Sequence, residues 1–412
     1  MSEDIGLGSE SPSFMQFGVR HFENGVHFLR LLANICIFET DEGVVLFDAG
    51  LEPDGPRIVE ELRAITEEPV RYVVYGHGHA DHAFGTKAVL ADAEVRGHPR
   101  PVIIAHENVP KRFDRYQRML PYHDHINRIQ FGVPADVQVF PRTYIYPDKV
   151  YHGSTSFDLG GITFELRHAR GETDDATWLW VPELGVTCVS DLWVWSCPNV
   201  GNPFKVQRYA LEWAEALEAV AAESPRLMLP GHGNSVEGAA EVEEGCLSVA
   251  KALRFLDDQV VAMLNEGKWQ EEILDSFEWP AEFAESRFLA PIYGHPYFVV
   301  QGTLRLYHGW FDGNASHLFP APSARIAEEV LGLTGGADKV LERARGLADE
   351  GEAQLALHLV DFVLDGSDEP GTEALDLKAE LLNKLAESES SFIARNIFAG
   401  GVRQVDALRR ER

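Results

Sequence analysis

Residues 73–85 read VVYGHGHADHAFG, and six positions of that stretch hold His77, His79, Asp81 and His82. Imidazole nitrogens and carboxylate oxygens together suit zinc, with iron and manganese as alternatives. Residues two apart in an extended loop face the same side, so His77 and His79 converge on one point. Asp81 and His82 follow at once and can face another. One loop thus offers two ligands to each of two neighbouring metal ions. It cannot complete either site, so further ligands must come from later in the chain.

Three later places offer them. In HARGETDDA (168–176), a turn after a strand, Glu172 or His168 could reach a metal. VSD (189–191) ends an apolar strand with Asp191, and LPGHG (229–233) sets His232 between glycines after another strand. Each place is a loop of the kind a layered fold presents along one edge.

The elements that must position these side chains come in two β-rich blocks. HFLRLLANICIFET and VVLFDAG are strand-like runs joined by the turn DEG (41–43). GPRIVEELRAI (55–65) has helical spacing, and RYVVYG is a buried strand that stops at Gly76, just before the histidines. AFGTKAVLADA is helical and PVIIAHENV (101–109) strand-like, while 110–135 is polar and aromatic, a lid or a helical insertion. A second block covers 150–169 and 177–191, followed by a helix and the strand LMLPGHG (227–233). Two β-rich halves flanked by helices predict an αββα sandwich over residues 1–238. From residue 239 to 412 the spacing is helical almost throughout, which predicts a separate all-α domain.

Composition narrows the partners. The chain has 412 residues and a formal net charge of −29. That charge repels phosphate backbones and anionic lipid, which argues against nucleic acid and membrane partners. No stretch of about 18 apolar residues predicts a membrane span. The acidic N-terminal stretch lacks the basic and apolar regions of a signal peptide, so a cytoplasmic location is expected. Cys36, Cys188, Cys197 and Cys246 form no CxxC pair and read as reduced, buried thiols. There is no Gly-rich phosphate loop and no Gly-x-Ser-x-Gly elbow.

HGHADH resembles HxHxDH, the signature of the metallo-β-lactamase fold. FDAG (47–50), HARGETDD, Asp191 and PGHG follow in the family's order. Glu172 stands where that fold's third motif has histidine, a feature of its alkyl-sulfatase branch. LRFLDDQVVAMLNEG, LRLYHGWFDGNASHLFPAP and the helices beyond resemble that branch's dimerisation domain, without its sterol-carrier-like domain. The resemblance implies two zinc ions, one held by His77, His79 and Glu172, the other by Asp81, His82 and His232. It implies that Asp191 bridges them, where the branch usually has glutamate, and that Asp48 supports the ligands from behind. It further implies a homodimer that takes a small-molecule ester.

The reaction implied is a binuclear zinc hydrolase, with metal-bound hydroxide attacking an alkyl sulfate or related ester. Asp191 and Asp81 are the candidate catalytic carboxylates. The segment after Asp191 departs from the branch. Pro198 sits where its proton-donating histidine precedes Asn-Val, and Phe204 sits near where its sulfate-binding arginine belongs. Asn199, Lys205, Tyr293, Trp193 and Trp195 are the candidate substrate contacts, the tryptophans suggesting an apolar, ring-shaped substrate. The alternatives are a zinc-dependent lactone, thioester or carboxylic-ester hydrolase, then a diiron oxidoreductase or a non-catalytic scaffold. His106 reads as a structural hydrogen-bond former, and Arg112, Arg115 and Arg118 as a solvated helix face.

Overall fold

The computed structural model describes residues 17–134, 136–367 and 371–410. The N-terminal stretch read for a leader lies almost wholly outside them. Two compact units divide the chain: one takes residues up to 123, 140–268 and 272–308, the other 124–139, 269–271 and 309–412.

The first unit is built on two sheets. One runs in sequence order through β1 (Gly18–His21), β2 (Val26–Arg30), β3 (Ile35–Thr40), β4 (Gly43–Phe47), β5 (Val70–Val74), β6 (Val102–His106) and β7 (Lys149–Tyr151). The other comprises β8 (Ser154–Leu159), β9 (Ile162–Ala169), β10 (Ala176–Val181), β11 (Val186–Ser190), β12 (Leu227–Pro230) and β13 (Val236–Glu237). Strands β4 to β7 are parallel neighbours, and β11 pairs parallel with β12. Between the sheets Phe28, Phe38 and Phe47 meet Phe164, Leu166, Leu179 and Leu229 in one apolar core. Each such side chain contributes roughly 1.5–3 kcal/mol on burial.

Helices α1 (Gly55–Ile65), α2 (Ala80–Ala83), α3 (Thr86–Arg96), α4 (Asn108–Arg118) and α5 (Leu120–Phe131) fill the connections that parallel strands require. The aperiodic stretch 110–135 is thus largely two helices. On the second sheet, α6 (Ala210–Ala222) lies on β9, and α7 (Ala239–Asn265) lies on β12. The fold is the expected αββα sandwich, followed by a helical region.

Two details differ from the sequence reading. The run 27–40 is two strands broken at 31–34, because Asn34 turns away to donate to the carbonyls of Pro230 and Gly233. Helix α7 begins where an all-α domain was expected, yet it groups with the sandwich. Its Val242, Cys246, Val249 and Leu253 share one core with Trp213 and Met228.

The remaining helices are α8 (Gln270–Ser276), α9 (Ala281–Ala284), α10 (Pro296–Tyr307), α11 (Ser323–Thr334), α12 (Ala337–Asp349), α13 (Ala353–Asp365), α14 (Thr372–Ser388) and α15 (Phe392–Arg410). In the second unit α11 to α15 close around Leu341, Leu357, Val360, Leu375 and Leu382. Among the described residues no helix is long and apolar enough to cross a membrane, and all four cysteines are free and buried.

Candidate metal centre

Parallel strands deliver their carboxyl ends to one edge, and the loops there carry function. Asp48 follows β4, His77 to His82 follow β5, Asp191 follows β11 and His232 follows β12. Glu172 lies in the turn between β9 and β10. The turn after β5 passes tightly beneath its neighbours. A Cβ on Gly76 would sit 2.5 Å from Ser190 Oγ and 2.7 Å from Asp48 Oδ1, so only glycine fits.

The side chains gather in two groups. His77, His79, Glu172 and Asp191 form one, and Asp81, His82 and His232 the other, with the potential ligand atoms of each group within 4.8 Å of one another. Asp191 faces both groups. Its Oδ2 is 3.6 Å from His77 Nε2, while its Oδ1 is 3.1 Å from His82 Nε2 and 3.2 Å from His232 Nε2. Glu172 Oε2 lies 3.2 Å from His79 Nδ1, and Asp81 Oδ2 lies 3.7 Å from His82 Nε2.

These residues fit bound metal. His77 Nε2, His82 Nε2, Glu172 Oε2 and Asp191 Oδ1 are buried without any hydrogen-bond partner. Leaving so many polar atoms unpaired is costly unless something else satisfies them. Donors 2.0–2.1 Å from a tetrahedral ion stand about 3.3 Å apart, close to the separations seen.

The surroundings set which atoms point inward. Asp48 stands at φ 65°, an uncommon conformation for a residue with a side chain. Its Oδ1 accepts from Gly76 N at 2.6 Å. Its Oδ2 accepts from His82 Nδ1 and Ser190 Oγ, each at 2.8 Å. With its O–H directed at Asp48, Ser190 Oγ accepts from His77 Nδ1 at 3.1 Å. Both imidazoles therefore turn Nε2 toward the centre, the nitrogen that can ligate once any proton on it is displaced.

Glu172 is held from behind by Arg208, whose guanidinium also donates to the Asn199 carbonyl at 2.7 Å. The Asn199 amide donates to Glu172 Oε1 at 3.3 Å. Asn199, an expected substrate contact, thus helps to orient Glu172. Arg112, read as part of a solvated face, is buried and binds Asp175 at 2.6 Å. Asp175 in turn accepts from Gly78 N at 3.2 Å, which fixes the HGH turn. His232 Nδ1 is 2.5 Å from the Leu32 carbonyl, in the break between β2 and β3. Ser190, Arg208 and Leu32 were not read from the sequence, and the unexpected break at 31–34 was the one trace of the last.

The charge pattern divides the histidines. Burial, with His82 and His79 nearby, lowers His77 well below its ordinary value. Burial also works against a proton on His82 and His232, but carboxylates outweigh it. Asp191, Asp48 and Asp81 raise His82, and Asp191 and Asp81 raise His232 to about 9. Burial opposes charge on Asp191, yet His82 and His232 hold it well below the usual carboxylate range.

Other expected residues fall elsewhere. His168 joins neither group: it stacks on His106, and its Nε2 is 3.1 Å from the Asp174 carbonyl. Trp193 and Trp195 are 1% and 7% exposed and pack on Phe288, and the Trp195 indole donates to the Asn234 carbonyl at 2.8 Å, just beyond His232. Tyr293 and Lys205 lie within reach of the charges of Glu172 and Asp81. Burial and the Arg208 charge lower Lys205 to about 7, against the pull of those carboxylates.

Residues 30–232 match the model of the metallo-beta-lactamase superfamily, and residues 270–407 match that of alkyl sulfatase dimerisation. The chain joins a metallo-β-lactamase domain to an alkyl sulfatase dimerisation domain. The first domain's superfamily is one of hydrolases. A linear primary-alkylsulfatase of Pseudomonas sp. is 26% identical over 381 residues, covering 87% of this chain and 71% of that protein. An alkyl/aryl-sulfatase of Saccharomyces cerevisiae is 22% identical, covering 91% of this chain and 61% of that one. The solved structure of the stereoselective inverting sec-alkylsulfatase Pisa1 from Pseudomonas sp. superposes with a TM-score of 0.84 at 21% identity, covering 94% of this chain and 66% of that one. That is a likeness of fold. The chain thus spans about 60–70% of the length of these relatives.

Proposed function

We propose that the chain is a binuclear metal-dependent hydrolase acting on an alkyl sulfate or related ester, with zinc as the ion. The observation that carries this is the pair of facing ligand sets, His77, His79, Glu172 and Asp81, His82, His232, with Asp191 between them. When bound there, two divalent cations supply Lewis acidity and the concentrated positive charge that this acidic chain otherwise lacks.

The protein's own groups do the rest. Asp191 and Asp81 are oriented by the histidines and can accept a proton from attacking water. Lys205 and Tyr293 border the same space. Lys205 is the cation placed to hold an ester's anionic group, in the role that Phe204 cannot fill. The helical domain makes a homodimer, in keeping with the dimerisation model that it matches.

One observation favours a second reading, in which the substrate is a lactone, thioester or activated carboxylic ester. Pro198, where the alkyl-sulfatase branch has an acid, offers no proton, and such substrates need less help for the leaving group. The deciding assay exposes the zinc-loaded chain to alkyl sulfates, lactones, thioesters and aryl esters. Release of sulfate from a primary or secondary alkyl sulfate is expected. Turnover of the carboxylic esters with no sulfate release would select the second reading.

A further inference from the structure

At the carboxyl end of β6 stands another set of ligand types, which the metal centre does not use. His106, Glu107 and His152 each offer a ring nitrogen or carboxylate oxygen, all within 4.8 Å of one another. Sheet register brings them together. His106 pairs with Tyr151 across β6 and β7, so the next residue on each strand, Glu107 and His152, meet beyond the sheet. His152 Nδ1 lies 2.9 Å from Glu107 Oε1.

His106 is 2% exposed. Its Nδ1 accepts from Asn108 N at a long 3.3 Å, and its Nε2 is buried with no partner. Its ring stacks on His168 with centroids 3.6 Å apart and planes at 5°. Two cationic rings would repel at that distance. A ring so buried and stacked is held neutral, and it ligates through whichever nitrogen does not carry its one N–H.

We propose that His106, Glu107 and His152 hold a further divalent cation of the zinc class, separate from the centre around Asp191. Two imidazoles and one carboxylate, with a position left to water, suit such an ion. The His152 side chain is 82% exposed, so this ion lies at the surface and exchanges with solvent. It ties the start of α4 to the point where the chain leaves the first sheet for the second. Helix α4 carries Arg112, so the ion braces the helix that backs the HGH turn.

The test uses the full chain, stripped of metal and dialysed against buffered zinc, with bound equivalents counted by mass spectrometry. His152→Ala removes an exposed side chain and leaves the core intact; Glu107→Gln is the second variant. Each is expected to lose one zinc per chain relative to the parent, and to lose part of the zinc-induced rise in Tm. The Asp81→Ala/His232→Ala variant keeps that extra zinc, and adding His152→Ala removes it. An unchanged zinc count on His152→Ala in both backgrounds overturns the proposal, whatever count the main centre shows. Loss of zinc only in the Asp81 and His232 variants would leave the main centre standing and refute this one.

Discussion

At the scale of single residues, the protonation of His232 governs how metal enters. Its pKa of about 9 means that it carries a proton at neutral pH in the metal-free chain. An ion can bind only by displacing that proton, so affinity rises with pH until about 9 and then levels. His77 is shifted the other way and has no proton to lose. Zinc titration at pH 7.5 in two buffers of different ionisation enthalpy is therefore expected to show proton release. Binding with no proton release and no pH dependence would contradict this. Lys205, lowered to about 7, has the opposite slope. Its charge is present below pH 7 and lost above it, so KM for a sulfate ester should climb through that pH while KM for a neutral ester stays flat. Lys205→Met is expected to raise KM for the sulfate about 10- to 100-fold, the worth of a charge-assisted contact. The seven side chains that the structure gathers were legible in the sequence because six sit beside a glycine or in the HGHADH run, at strand ends. Ser190 and Arg208 were not, because a serine or arginine gains its role only from what folding brings to it.

At the scale of elements, α4 is held to the centre by an ion pair. Arg112 binds both Asp174 and Asp175, the first at 2.5 Å, and Asp175 holds the turn that begins the ligand run. Removing one partner of a buried pair leaves the other charge uncompensated, at a cost of about 3–5 kcal/mol. Arg112→Ala should lower unfolding free energy by that order and loosen zinc at the centre, both measurable by denaturant titration with and without metal. A change below about 1 kcal/mol, the range of exposed pairs, would return Arg112 to the solvated face that its sequence suggested. Sequence missed this because α4 is rich in charge, and only the packing shows which of its arginines turns inward. The strands were easier, since their β-branched runs and bounding turns are local signals.

For the whole molecule, the helical unit leaves large apolar side chains uncovered. Trp310, Phe319 and Leu333 are 77%, 88% and 88% exposed. Exposed apolar surface of that kind marks association sites. Light scattering is expected to report a dimer, and Trp310→Glu with Phe319→Glu to halve its mass. A parent chain that is already a monomer would remove the homodimer from the proposal. The order of events in folding follows from one contact. Ser190, on the second sheet, links Asp48, 142 residues earlier, to His77, 113 residues earlier, both at strand ends of the first. Contacts so distant in sequence form late. The centre therefore cannot select ions in a half-made chain: zinc given to refolding protein should leave the folding rate unchanged and slow only unfolding, so the metal acts as a latch closed after assembly.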